Sequence, residues 1–147
     1  MEINAVTRVT DEVADGVGRL IRQLAPGSTV PTRETLSEIV ASPGSRLLVA
    51  RETDSGEILG TATVATYRIP TGLRAWVEDV VVDEAARGRG VGEALVRRAL
   101  MCARELGAQQ VDLTSHPDRA AANRLYQRLG FERRTTNAYR YRFRFLP

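Results

Sequence analysis

The segment Trp76–Leu106, WVEDVVVDEAARGRGVGEALVRRALMCAREL, constrains the fold of this chain more than any other stretch. Val80-Val81-Val82 is a β-branched run of the kind that forms a strand buried on both faces. A glycine-rich, basic turn follows, Arg87-Gly88-Arg89-Gly90-Val91-Gly92. Beyond it, Val91, Leu95, Ala99, Leu100, Ala103 and Leu106 recur close to the helical period. A strand, a glycine turn and a helix in that order predict a backbone cradle for an anion, usually a phosphate. The first amides of a helix have no partner within the helix, and its dipole adds positive potential there.

Spacing separates the phosphate motifs that could occupy such a turn. A nucleotide P-loop ends in Gly-Lys-Ser/Thr, and all 21 basic residues of this chain are Arg. The dinucleotide fingerprint G-x-G-x-x-G fails as well: its third glycine would fall on Glu93 counted from Gly88, or on Leu95 counted from Gly90. Ala108 and Val111 stand where that motif wants an acidic residue for the ribose. What remains is Arg87-x-x-Gly90-x-Gly92. RNA-binding Arg/Gly segments usually occur as repeats in disordered tails, whereas this is a single turn between a strand and a helix.

Composition bounds the rest. The 147 residues suit one domain spanning 1–147, and 43% apolar with 27% charged residues suits a soluble protein. No run approaches the roughly 18 apolar residues of a membrane span, and Met1-Glu2-Ile3-Asn4 does not resemble a signal peptide. A lone cysteine, Cys102, excludes an intrachain disulfide and makes cytoplasmic location the expectation; it reads as an inert core or boundary residue. One Cys and one His, His116, predict no metal site, and His116 beside Pro117 reads as a surface loop residue. The pI of about 9.6 rests on a net charge of only +3, which predicts no nucleic-acid partner.

Taken in order, Glu2–Thr10 reads as a first strand, and Thr10 as the cap of a helix from Asp11 to Leu24 with a stripe of Val13, Val17, Leu20, Ile21 and Leu24. Gly16 and Gly18 within it imply close packing or movement. Thr32 caps a second helix carrying Leu36, Ile39 and Val40. Arg46–Glu52 and Glu57–Tyr67 predict a hairpin, with Gly60 marking a bulge or a close backbone approach. Gln110–Thr114 is a strand returning parallel to the one before the central helix. A helix over Arg119–Leu129 follows, then strands at Phe131–Thr136 and Ala138–Phe145. In the last of these, Tyr139, Tyr141, Phe143 and Phe145 alternate with Arg140, Arg142 and Arg144. The pattern fits a core strand with a solvated cationic face; the other reading is a homodimer edge or a face for an acidic partner. The expected order is β-α-α-β-β-β-α-β-α-β-β, a mixed sheet of about seven strands with about four helices.

Arg87-x-x-Gly90-x-Gly92 within VEDVVVDEAARGRGVGEALVRRAL resembles the acetyl-CoA signature of the GNAT superfamily of N-acetyltransferases, and NRLYQRLGF, Asn123–Phe131, is similar to that family's later Asn-x-x-Tyr-x-x-x-Gly-Phe segment. The resemblance implies acetyl-CoA as co-substrate, a primary amine as acceptor, and direct transfer in a ternary complex without metal. Gly88, Gly90 and Gly92 leave room for close approach, the amides of Arg89, Gly90, Val91 and Gly92 face the diphosphate, and Arg87 adds charge. By resemblance, the backbone of Val80, Val81 and Val82 holds the pantetheine arm and polarises the thioester carbonyl, and Asn123 lies near that arm. Tyr126 is the candidate acid for the departing thiolate, against a reading as packing with Leu125 and Leu129. Glu78 is the candidate base or amine-binding group, against a purely orienting role; Asp79 points to the opposite face if strand alternation holds. The acceptor side would be shaped by Leu24–Leu36 and Arg134–Arg142. The EDVVV run resembles the amino-sugar-phosphate acetyltransferases of the superfamily, and a basic acceptor side suits a phosphate or carboxylate on a small-molecule amine. The alternatives are a protein N-acetyltransferase, or a module that binds acyl-CoA without turnover.

Overall fold

The computed structural model describes residues 1–144, which divide into two compact units, Met1–Thr114 and the chain from Ser115 onward. The first unit contains β1 (Glu2–Ala5), α1 (Asp11–Leu24), α2 (Arg33–Ala41), β2 (Ser45–Arg51), β3 (Ile58–Ile69), β4 (Gly72–Val82), α3 (Val91–Glu105) and β5 (Gln110–Asp112). The second contains α4 (Ala120–Arg128). Sheet order follows chain order, β1-β2-β3-β4-β5. The first three pairings are antiparallel and β4 with β5 is parallel. Short turns join β2 to β3 and β3 to β4, the α1–α2 segment leads from β1 to β2, and a crossover through α3 returns the chain parallel from β4 to β5.

The helix starts form where short hydroxyl side chains stand. The Thr10 and Thr32 hydroxyls accept from the backbone N–H of Val13 and Thr35, at 3.3 and 3.1 Å. α1 lays Val13, Val17 and Leu20 on one face of the sheet, in a cluster with Leu36, Leu47, Val49, Ile58 and Val81. Leu48 and Ala50 alternate with Leu47 and Val49 and are also fully buried, so β2 is sealed on both faces. The two glycines of α1 mark close packing: a Cβ on Gly16 would stand 2.8 Å from the Ile58 side chain, and one on Gly18 would stand 2.9 Å from Val30. Gly60 meets both of its expectations. The β2–β3 register shifts beside it, and a Cβ there would lie 2.9 Å from Leu95 and 3.2 Å from Val91. The first turns of α3 therefore rest directly on the β3 backbone.

Two expectations are corrected. The first strand stops at Ala5 instead of Thr10. The described residues form five strands, not about seven: 131–144 contain no strand, and Phe145 lies outside the described residues. Tyr139, Tyr141 and Phe143 are 90%, 82% and 76% exposed. Alternation assigns faces to a strand but supplies no partner for its backbone, and a lone two-stranded hairpin is marginal in water.

Candidate functional site

β4 carries Glu78 and the Val80–Val82 run. Glu78 pairs in register with Thr63 and Val81 with Thr61, so the two residues Asp79 and Val80 oppose the single residue Ala62. This is a β-bulge. Asp79 takes up the extra residue with φ of 51°, in the left-handed region, and is the sole non-glycine among the described residues with positive φ. Asp tolerates that conformation better than most residues. The bulge breaks alternation, so the expectation that Glu78 and Asp79 point to opposite faces fails: both are exposed, and Val80 and Val81 after them are both buried. The signal lay in the sequence, since two consecutive acids between apolar pairs cannot fit a period of two. Parallel pairing with β5 reaches from Arg74 to Trp76, and β4 continues beyond it to Val82.

Asp83 ends the strand, and its carboxylate accepts from the Ala85 N–H at 2.9 Å, capping a short 3-10 turn over Glu84–Ala86. The Arg87–Gly92 loop follows. Gly88 and Gly90 have φ of 77° and 79°, and a Cβ on either would meet nothing within 4 Å. An L side chain is strained at such φ, so both positions call for glycine. Gly90 is the N-cap of α3 and brings no side chain to its amides. The loop and helix start thus leave their backbone uncovered by side chains at Gly88 and Gly90, with the polarity an anion requires. Arg87 stands 3.8 Å from Glu84, both well exposed. Arg89 is paired with Glu52, and that hydrogen bond holds the Glu52 carboxyl below the usual carboxylate range.

The unit from Ser115 carries the other expected residues. Asn123 and Tyr126 stand one helical turn apart on α4. The Asn123 Nδ2 donates to the His116 carbonyl at 3.0 Å, tying the loop after β5 to the helix. Tyr126 is 6% exposed, with its ring edge-on to Phe131 at 5.8 Å. Burial pushes its phenol above the ordinary value, against the opposing charge of Arg119. His116 is an exposed loop residue, as the sequence suggested, and its Nδ1 accepts from the Asp118 N–H at 3.1 Å. Cys102 is buried, and burial raises its thiol pKa, which agrees with an inert core role. Sequence reasoning did not single out Ser115, whose Oγ is buried without a hydrogen-bond partner among the described residues. No local pattern marks such a hydroxyl.

Comparison with known proteins extends these observations across the chain. The profile described as Acetyltransferase (GNAT) family matches residues 19–131. The chain belongs to that acetyltransferase family. A rice protein, glucosamine 6-phosphate N-acetyltransferase 1 of Oryza sativa subsp. japonica, is 33% identical over 127 residues, which is 82% of this chain and 75% of that protein. A mycothiol acetyltransferase of Nocardia farcinica is 32% identical over 84% of this chain, but that span is only 38% of its own length. Among solved structures, a putative acetyltransferase from Agrobacterium tumefaciens superposes with a TM-score of 0.82 at 26% identity, covering 97% of this chain and 100% of that one. This GNAT protein is thus an acyltransferase whose relatives are named for small-molecule amine acceptors. Among the described residues no helix is long and apolar enough to cross a membrane, and no cluster of metal-ligating side chains occurs.

Proposed function

We propose that this GNAT protein transfers an acetyl group from acetyl-CoA to a primary amine on a small anionic molecule, by direct transfer in a ternary complex. The observation that carries the reading is the Arg87–Gly92 loop, where Gly88 and Gly90 are left-handed and α3 begins without a side-chain cap. The polarity of its helix start suits the diphosphate of CoA, with Arg87 adding charge. When bound, acetyl-CoA supplies an activated thioester carbonyl. The backbone of Val80, Val81 and Val82 holds the pantetheine arm and polarises that carbonyl. Glu78, exposed at the mouth of the bulge, holds the acceptor amine and takes its proton as the C–N bond forms. Tyr126 returns a proton to sulfur as the C–S bond breaks. The phenol, protonated at neutral pH already at its ordinary value of 10.0, is pushed further up by burial, and Asn123 steadies the chain that leads into its helix.

The acceptor class rests on the names of the relatives, which include glucosamine 6-phosphate and amino-acid acetyltransferases. Each such acceptor pairs an amine with a phosphate or carboxylate. The test is free-thiol release from acetyl-CoA across a panel containing glucosamine 6-phosphate, free amino acids and neutral amines. Turnover is expected with at least one anionic amine. The chain has no Lys, so lysine autoacetylation cannot contribute to the signal. Cofactor binding without turnover anywhere in the panel would replace this reading with that of a non-catalytic acyl-CoA module.

A further inference from the structure

Asp83 and Thr61 are the two buried polar residues of the described core. A buried carboxylate is costly unless it is paired and hydrogen-bonded, and Asp83 is committed at every polar group. One carboxylate oxygen pairs with Arg19 of α1, and the other accepts from the Ala85 N–H. Its backbone N–H donates to the Leu59 carbonyl at 2.8 Å. Arg19 is itself fixed, since its second guanidinium nitrogen donates to the Ile58 carbonyl at 2.8 Å. One helical turn further along α1, Gln23 accepts from the Glu84 N–H at 3.0 Å. Two residues on one face of α1 therefore grip the 3-10 turn whose last residue, Ala86, immediately precedes Arg87. The far end of the loop is set by Val91, seated over Gly60.

We propose that Arg19, Gln23 and Asp83 are positioning residues that hold the start of the Arg87–Gly92 loop in its phosphate-binding conformation. None of them need touch the ligand. Asp83 fixes the turn, Arg19 fixes Asp83 against β3, and Gln23 fixes the next amide, so the loop amides are converged before a diphosphate arrives. Preorganisation of this kind acts on affinity for the phosphate-bearing half of the co-substrate and leaves the acyl-transfer step alone. The inference rests on the reading of the loop as the diphosphate site.

The experiment measures Kd by calorimetry for acetyl-CoA and for 3′-phospho-ADP, the nucleotide half that carries the diphosphate. It compares the wild-type chain with Arg19→Gln, Asp83→Asn, Gln23→Leu and Arg19→Lys. Loss of a charge-assisted hydrogen bond predicts about tenfold weaker binding of both ligands for Arg19→Gln and Asp83→Asn. Gln23→Leu and the charge-conserving Arg19→Lys should each weaken binding by about threefold. With an acceptor found in the panel, kcat at saturating acetyl-CoA stays within about twofold of wild type while KM rises. A merely structural pair gives the opposite pattern: a smaller folded fraction lowers apparent kcat and the number of binding sites without changing Kd. Variants that bind both ligands as tightly as wild type overturn the inference. A wild-type chain that binds neither ligand overturns the reading of the loop instead. If Arg19→Gln or Asp83→Asn does not fold, the half-buried Gln23→Leu decides alone, and unchanged affinity there counts against the proposal.

Discussion

In the first unit Leu48 and Val64 of the sheet and Leu95 of α3 expose no surface, whereas beyond α4 the rings of Tyr139, Tyr141 and Phe143 are 76–90% exposed. Both regions carry apolar residues at the spacing of regular structure. In the first unit each strand is matched to a neighbour in register, and helices cover the sheet. In the second, burial concentrates at Tyr126 and its edge contact with Phe131. Patterning nominates a face, and pairing plus a covering layer turns that face into a core. Each region can be probed at the residue that represents it best.

The largest effect is expected at Tyr126, where the second unit does what the first does everywhere. Tyr126→Phe keeps the ring and its packing on Phe131 and removes the hydroxyl. Loss of a general acid predicts a fall in turnover of about 10²–10⁴-fold, with acetyl-CoA affinity nearly unchanged. Steady-state kinetics with a separate Kd measurement check it, and unchanged turnover would return Tyr126 to a packing role. The same variant has a pH signature. The folded-state pKa is raised above the ordinary value of 10.0. The stabilisation tied to the neutral phenol is therefore complete below about pH 10 and is lost as pH rises through the folded value. Wild type should lose stability in that alkaline window, and the Phe variant should lose less, as followed by thermal melts between pH 8 and pH 11.

Leu95 represents the first unit. It is fully buried on α3 and contacts the β3 backbone beside Gly60. Leu95→Ala should cost about 2–5 kcal/mol in urea unfolding, because the sheet beneath it cannot collapse into the space. A cost below about 1 kcal/mol would mean that α3 relaxes freely, which contradicts the tight seating at Gly60.

The same contrast explains how much was legible in the sequence. Thr10 and Thr32 announce their helices because capping is local chemistry, satisfied within three residues. The β2–β3 and β3–β4 connections and the β4-α3-β5 crossover were readable for a similar reason. The glycine turn before α3 was readable because its glycines answer to local backbone requirements at Gly88 and Gly90. The break at Glu78-Asp79 was legible as two consecutive acids between apolar pairs, but that it forms a bulge was hidden because the residue it opposes, Ala62, lies on another strand. Arg19 and Asp83 were hidden for the same reason: 64 positions separate them, and neither belongs to a motif. The two C-terminal strands were over-read, since their alternation resembles that of a paired strand and local pattern contains no information about partners.

The smallest effect is expected at the segment that gave rise to that over-reading. Tyr141 is 82% exposed and its ring meets Phe143 edge-on at 5.3 Å. That contact brings two exposed rings together without sealing either from water, so little apolar area is at stake. Tyr141→Ser should change unfolding free energy by no more than about 0.5 kcal/mol, the usual range for surface substitutions. Measured in the same urea series, the ratio to Leu95→Ala is the informative quantity, because both substitutions remove a large apolar side chain. A loss at Tyr141 approaching that at Leu95 would mean that the aromatic face is sealed by a partner in solution, and a concentration-dependent melting temperature would identify that partner as a second copy of the chain. A ratio near zero, independent of concentration, leaves the alternating rings and arginines as solvated surface.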